Sequence, residues 1–192
     1  TRFIQYLPQE KSYIGIIQLG IKTTTDDIHG EILKQKDLPK LSFDDLDNSL
    51  NSFRGTFQQI PPQVSSVHVN GERAYKKSWR KEIFILPSKE VRVDSLILKD
   101  WDQANGQLKI EINCSSGTYI RSIARDLGIL LKSEGCLYNL RRIKASGFSE
   151  NKSIDLEYLI NNQNYKDKFI ISIEDALNHL PRVHLSNELD ML

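Results

Sequence analysis

Polar and apolar positions alternate along residues 13–20 (YIGIIQLG), the period-two rhythm of a strand with one buried face. The polar run that follows, residues 22–30 (KTTTDDIHG), carries turn residues at Asp26, Asp27 and Gly30 and reads as a loop. From Ser42 the period changes. Phe43, Leu46, Leu50 and Phe53 recur at helical spacing behind a serine cap and acids in the first turn, which predicts a helix over 42–53.

A double proline, Pro61-Pro62, forbids helix next, and an alternating strand then runs into Asn70-Gly71, a strong hairpin-turn signal. Residues 90–98 (EVRVDSLIL) and 107–114 (QLKIEINC) both alternate and are joined by the turn-rich WDQANG, so they predict an antiparallel hairpin. Ile120, Ile123, Ala124, Leu127, Leu130 and Leu131 form one helical stripe, with Arg121 and Arg125 an i, i+4 pair off it. LYNLRRIKASGF reads as a further strand. Two short capped helices are expected to close the chain, one from Ser153 and one from Ser172 with Asp175 three residues on. The order of elements predicts an α+β fold: a mainly antiparallel mixed sheet with helices packed on it.

At 192 residues, 39% hydrophobic and 27% charged, the chain has the composition of a globular protein with one sizeable core. The longest apolar runs are far too short to span a bilayer and no charged-then-apolar leader opens the chain, so a cytoplasmic protein without a membrane partner is expected. Cys114 and Cys136 are too far apart for a disulfide scaffold or a zinc site and read as buried, reduced residues. His29, His68, His179 and His184 are scattered, so structural or surface roles are expected for them, and no metal.

The net charge of +1 conceals segregation. Acids outnumber bases between Asp26 and Asp47. RAYKKSWRK then places five cations, Arg73, Lys76, Lys77, Arg80 and Lys81, around Tyr75 and Trp79 with no acid among them. A second basic knot is LRRIK, with Arg141 and Arg142. Cations for phosphates and aromatic faces for unstacked bases make an RNA-binding composition. A solvated helix face with two core aromatics has the same composition.

Four stretches, KSYIGIIQLGIKTTTDDIHGEIL, FRGTFQQIPPQVSSVHVNGERAY, CSSGTYIRSIARDLG and LRRIKASGFS, resemble in their order the bacterial tRNA pseudouridine-55 synthases, the TruB-type pseudouridine synthases. The resemblance covers residues 1 to about 149. It implies a catalytic domain over 1–150, with 151–192 a short helical tail at the start of a C-terminal region. It further implies a cofactor-free and metal-free isomerase, expected to be a monomer, acting on the T arm of tRNA. A T-loop uridine is flipped out, detached from its ribose, turned and reattached through carbon 5, and stacking and phosphate contacts offset the unstacking cost. By motif, Tyr13 matches the K-x-Y tyrosine that stacks on the target base and is placed to take the carbon 5 proton. A phenol with a pKa near ~10 needs help from its surroundings to act as a base. Arg121 matches the arginine that pairs with the catalytic aspartate, a task suited to a rigid fork. Tyr119 and Leu140 match positions that wall the pocket. Arg141 and Arg142 belong to phosphates or to structure, and Ser66 and His68 depart from the alanine and lysine common in the family.

Without the family, Tyr13 reads as an ordinary strand tyrosine packed on the sheet, and Tyr119 and Arg121 as closing the turn onto the helix, with Arg121 paired to a structural acid. The family's nucleophilic aspartate lies in a G-x-L-D-P motif, which these 192 residues do not contain. Asp26 and Asp27 read as caps or loop acids, not as its replacement. Arg121 is therefore expected to lack its carboxylate, the chain to be the larger part of a catalytic domain, and the 192 residues alone to be inactive. A non-catalytic RNA-binding or RNA-folding module that kept the pocket is the alternative. A small-molecule isomerase, which would bind no tRNA, is a third.

Overall fold

The computed structural model describes residues 2–162 and 168–183. Along the chain run β1 (Lys11–Leu19), β2 (Ile21–Thr23), β3 (Ile32–Gln35), α1 (Phe43–Leu50), β4 (Gly55–Gln59), β5 (His68–Val69), β6 (Glu72–Arg73) and α2 (Ala74–Trp79). They are followed by β7 (Lys89–Asp102), β8 (Gln107–Cys114), α3 (Ile120–Leu130), β9 (Gly135–Ala145), β10 (Phe148–Ser149), α4 (Leu156–Asn161) and α5 (Ile173–Ala176). Six strands form one antiparallel sheet in the order β10-β9-β1-β8-β7-β4. The α+β architecture is the one the period changes predict.

Alternation decides which face of this sheet is covered. Leu108, Ile110, Ile112 and Cys114 of β8 point one way, and their cross-strand partners Val93, Leu96 and Leu98 join them. Tyr13, Gly15 and Ile17 of β1 lie opposite Ile112, Ile110 and Leu108 and share that face. Onto it pack Leu46 and Leu50 of α1 and Ile120, Ile123, Ala124 and Leu127 of α3, closing a single core. The Ser42 side chain and the Asp45 carboxylate cap α1 reciprocally. The Cα of Gly128 comes so close to β9 that an added Cβ would lie 2.2 Å from the Gly135 nitrogen, so α3 docks with no side chain between helix and strand.

The structure departs from the sequence reading in detail. The 22–30 segment is not all loop: β2 and β3 pair across it. β7 extends through Trp101 and Asp102, because both still pair with β8. The first tail helix is capped by Asp155, whose carboxylate accepts the Tyr158 N–H, rather than starting at Ser153; the second is capped by Ser172 as expected. Cys114 and Cys136 are buried and unpaired, as expected. His184 and residues 185–192 lie outside the described residues.

Candidate functional site: a pocket where β1, β9 and the start of α3 meet

Tyr13 lies on the covered face of β1, two residues before Gly15, and packs against the core. It is half-buried and stands opposite Arg142 of β9. Burial pushes its phenol above the ordinary value, Cys114 adds to the rise, and the Arg142 guanidinium opposes it. Leu140 is on the same face, and its Cδ1 lies 3.4 Å from where a Cβ on Gly15 would be, so the glycine leaves room for it.

Tyr119 is the residue before α3, and its backbone is held by a side chain far away in sequence. The buried Gln59 amide accepts the Tyr119 N–H at 2.8 Å and donates to the Tyr119 carbonyl at 3.1 Å. Gln59 was not singled out from sequence, since one polar residue at a strand end carries no local signal. Together Tyr13, Tyr119, Leu140, Arg121, Asp27, His29, Tyr138 and Asn139 surround a cleft of about 420 Å³, within the ~300–1,000 Å³ typical of small-ligand sites. A larger cleft of about 750 Å³, between Pro8, Gly147, Phe169 and His179, contains none of the sequence-derived site residues.

Two expectations are corrected here. Arg121 has a carboxylate: its Nη1 donates to Asp27 Oδ2 at 3.2 Å and to the Thr25 carbonyl at 3.0 Å, and its Nη2 donates to the Val64 carbonyl at 2.9 Å. Asp27 is accordingly a pocket residue, not merely a loop acid. The expectation failed because loop 22–30 folds back onto β9, where Ile28 N–H donates to the Leu137 carbonyl and Leu137 N–H to the Asp26 carbonyl, bringing residues 94 positions apart together. Asp27 is itself pinned, its Oδ1 accepting from the Thr25 hydroxyl at 2.8 Å and the His29 N–H at 3.1 Å. His29, expected to be structural or superficial, thereby lines the pocket.

One helical turn after Arg121, Arg125 repeats the pattern with the preceding acid. Its Nη1 meets Asp26 Oδ2 at 2.9 Å, its Nε meets Asp126 Oδ1 at 2.8 Å, and its Nη2 donates to the Ile60 carbonyl at 2.8 Å. Asp26 takes a left-handed backbone (φ 59°) and is buried. Burial raises its carboxyl pKa even against the two arginines. The same burial and the charges of Asp27 and Asp26 push the Cys136 thiol up to about 11, so it is inert.

The residues expected to bind RNA divide. Arg80 is engaged by Glu72 and Glu82, Lys77 by the same two acids at 3.8 and 3.2 Å, and Arg141 by Glu150. Arg73 donates to the Ser66 carbonyl, while Lys76, Lys81 and Arg142 have no acidic partner among the described residues. Trp79 is 72% exposed and is not a core residue. It meets Tyr75 edge-on, with centroids 4.9 Å apart.

An antiparallel α+β domain with an aromatic-walled pocket and an arginine–carboxylate pair on its floor has counterparts among known proteins. Residues 1–120 match the family model described as TruB family pseudouridylate synthase (N terminal domain), and the chain belongs to that family. Among its relatives, "tRNA pseudouridine synthase B" of Prochlorococcus marinus (strain MIT 9301) is 58% identical over 188 residues, 98% of this chain and 62% of that protein. The protein of the same name from Synechococcus sp. (strain CC9311) is 50% identical over 184 residues, 94% of this chain and 62% of its own length. The chain thus spans about 62% of the length of these relatives. In fold it is similar to the structure titled "Crystal Structure of a Cbf5-Nop10-Gar1 Complex", with a TM-score of 0.67 and 21% identity over 94% of this chain and 47% of that one.

Proposed function

We propose that this protein is a tRNA pseudouridine synthase that works as a cytoplasmic monomer on the T arm, converting the uridine at position 55 to pseudouridine without cofactor or metal. Family membership and relatives named for that activity support the reading. The observation that carries it is the pocket floor. Of the five N–H donors of a guanidinium, Arg121 uses three on Asp27, Thr25 and Val64, leaving Nε–H and one Nη2 hydrogen without a partner among the described residues. Those two hydrogens are the donors left to hold one further carboxylate and keep it ionised.

Roles follow from position. Tyr13 and Tyr119 offer faces to a flipped base, Leu140 closes the apolar side, and Arg121 orients the nucleophilic carboxylate. Asp27 holds Arg121: three donors and a tight turn occupy it, so it is poorly free to attack a ribose carbon. With its pKa raised, Tyr13 is not a ready base by itself, and removal of the carbon 5 proton draws on the flipped base and the carboxylate beside it. The test is pseudouridine formation in a T-arm transcript, read by tritium release from 5-tritiated uridine, with protein made from the complete reading frame. Stoichiometric conversion at position 55 is expected. Tight tRNA binding with no release would instead favour the non-catalytic RNA module.

A further inference from the structure

The turn over residues 115–118 (SSGT) leads from β8 into the pocket at Thr118 and Tyr119. Its ends are fixed: Ser115 N–H donates to the Arg92 carbonyl at 2.8 Å, Arg92 N–H donates to Ser115 Oγ at 3.0 Å, and Thr118 N–H reaches the Ser115 carbonyl at 3.3 Å. Its middle is open. The N–H groups of Ser116 and Gly117 have no acceptor among the described residues, and Gly117 takes φ +90°, a backbone that glycine adopts without strain. Successive unpaired N–H groups in such a turn form an anion-binding concavity.

Cations approach this turn from the strands on both sides of β8. Lys11 of β1 donates to Ser116 Oγ at 3.2 Å. The Lys89 ammonium of β7 lies 2.7 Å from where a Cβ on Gly117 would sit. Arg142 shares the face of Lys11 and Tyr13 one strand further on. None of the three has a carboxylate partner among the described residues, and Asp94, on the same strand as Lys89, is taken by Arg92 at 2.9 Å. In the 73–81 segment, by contrast, Lys77 and Arg80 are offset by Glu72 and Glu82. Uncompensated charge gathers around the 115–118 turn at the pocket mouth.

We propose that the 115–118 turn, with Lys11 and Lys89 on either side of it and Arg142 across β1, is a phosphate cradle that receives the RNA backbone beside the nucleotide held in the pocket. The assignment of RNA as the source of that phosphate rests on the function proposed above; the cradle itself does not. Each lysine–phosphate contact contributes a slope of roughly 0.7–0.9 in log affinity against log salt, about fivefold at 0.15 M salt.

tRNA affinity is measured across a salt series for the wild-type protein, Lys11→Gln, Lys89→Gln and, on the opposite sheet face, Lys109→Gln. In parallel, inorganic phosphate is titrated while the Ser116 and Gly117 amide resonances are followed. Lys11→Gln and Lys89→Gln are each expected to weaken binding about fivefold and flatten the slope by roughly 0.7–0.9, with Lys109→Gln unchanged. Phosphate is expected to shift both amides, and the shift to vanish in the double variant Lys11→Gln/Lys89→Gln. Slopes equal to that of Lys109→Gln, with amides indifferent to phosphate, would overturn the cradle. Amides that respond while the slopes stay unchanged would overturn its assignment to RNA. A wild-type protein that binds no tRNA yet shows the phosphate shift would sink the proposed substrate and uphold the cradle.

Discussion

Replacing Arg125 with methionine keeps the length and apolar stem of the side chain but leaves Asp26 buried without its cation. In the wild-type protein the pair is little exposed, 17% for the arginine side chain and 12% for the aspartate, and the N–O distance is 2.9 Å. Asp26 in the variant has two choices: remain charged and uncompensated, or fold protonated. The second sets a ceiling. Protonating a carboxyl of ordinary pKa near ~3.9 at pH 7 costs about 4 kcal/mol, against about 1.5 kcal/mol at pH 5. Asp126 loses two donors and the Ile60 carbonyl one, adding about 1 kcal/mol in all where water replaces most of them. The expected destabilisation is about 3–4 kcal/mol at pH 7 and about 2 kcal/mol at pH 5.

The sign follows from linkage. A carboxyl whose folded pKa is raised contributes stability that is full below its unfolded value and lost as pH rises through its folded value. Asp26 is already raised by burial, and removing Arg125 raises it further, so the variant's deficit must grow from pH 5 to pH 8. Urea unfolding followed by the fluorescence of Trp101, which packs on the core with its indole N–H on the Leu41 carbonyl, measures this directly. A deficit below 0.5 kcal/mol, or one equal at both pH values, would refute the account of Asp26 as a desolvated, charge-dependent anchor; either threshold lies well outside the order of effect expected here.

Arg121→Lys retains the charge but not the fork, so product formation is expected to fall about 100-fold with tRNA affinity little changed, as single-turnover and binding assays can separate. Tyr13→Phe keeps the aromatic face, and a loss confined to the chemical step, with binding unaltered, is expected if the phenol moves a proton; no loss in either would make it a stacking platform alone. Gly128→Ala puts a Cβ 2.2 Å from the Gly135 nitrogen and 2.4 Å from the Glu134 carbonyl carbon, both backbone atoms. Forcing α3 off β9 should cost at least about 1–3 kcal/mol in a denaturant titration.

Much of the sheet was legible because its signal is local. The alternation in QLKIEINC needs no partner to be recognised, and it places Leu108, Ile110, Ile112 and Cys114 on the buried face. The same holds for α1, whose cap and apolar spacing are contained within twelve residues, 42–53. Tyr13, Tyr119, Arg121 and Leu140 came from motif resemblance, and they converge on one cleft. Gln59, Asp27 and His29 could not be read in the same way. A glutamine at a strand end and acids in a turn occur in any loop, and what distinguishes them is the distant group each one meets.

Charge shows the same division. RAYKKSWRK looks like an RNA surface because its acids are not in it; Glu72 and Glu82 stand just outside and fold onto it. Lys11 and Lys89 lie 78 positions apart in lone contexts, yet they flank one glycine turn. By itself the sequence determined the periods, caps and turns, and through its motifs the family, since all of these depend on residues close together in the chain. The partner of Arg121, the anchoring of Asp26 and the grouping of free cations were decided only in the tertiary structure. A charge acts on what is near it in space, and sheet order and register set that nearness across nearly a hundred residues.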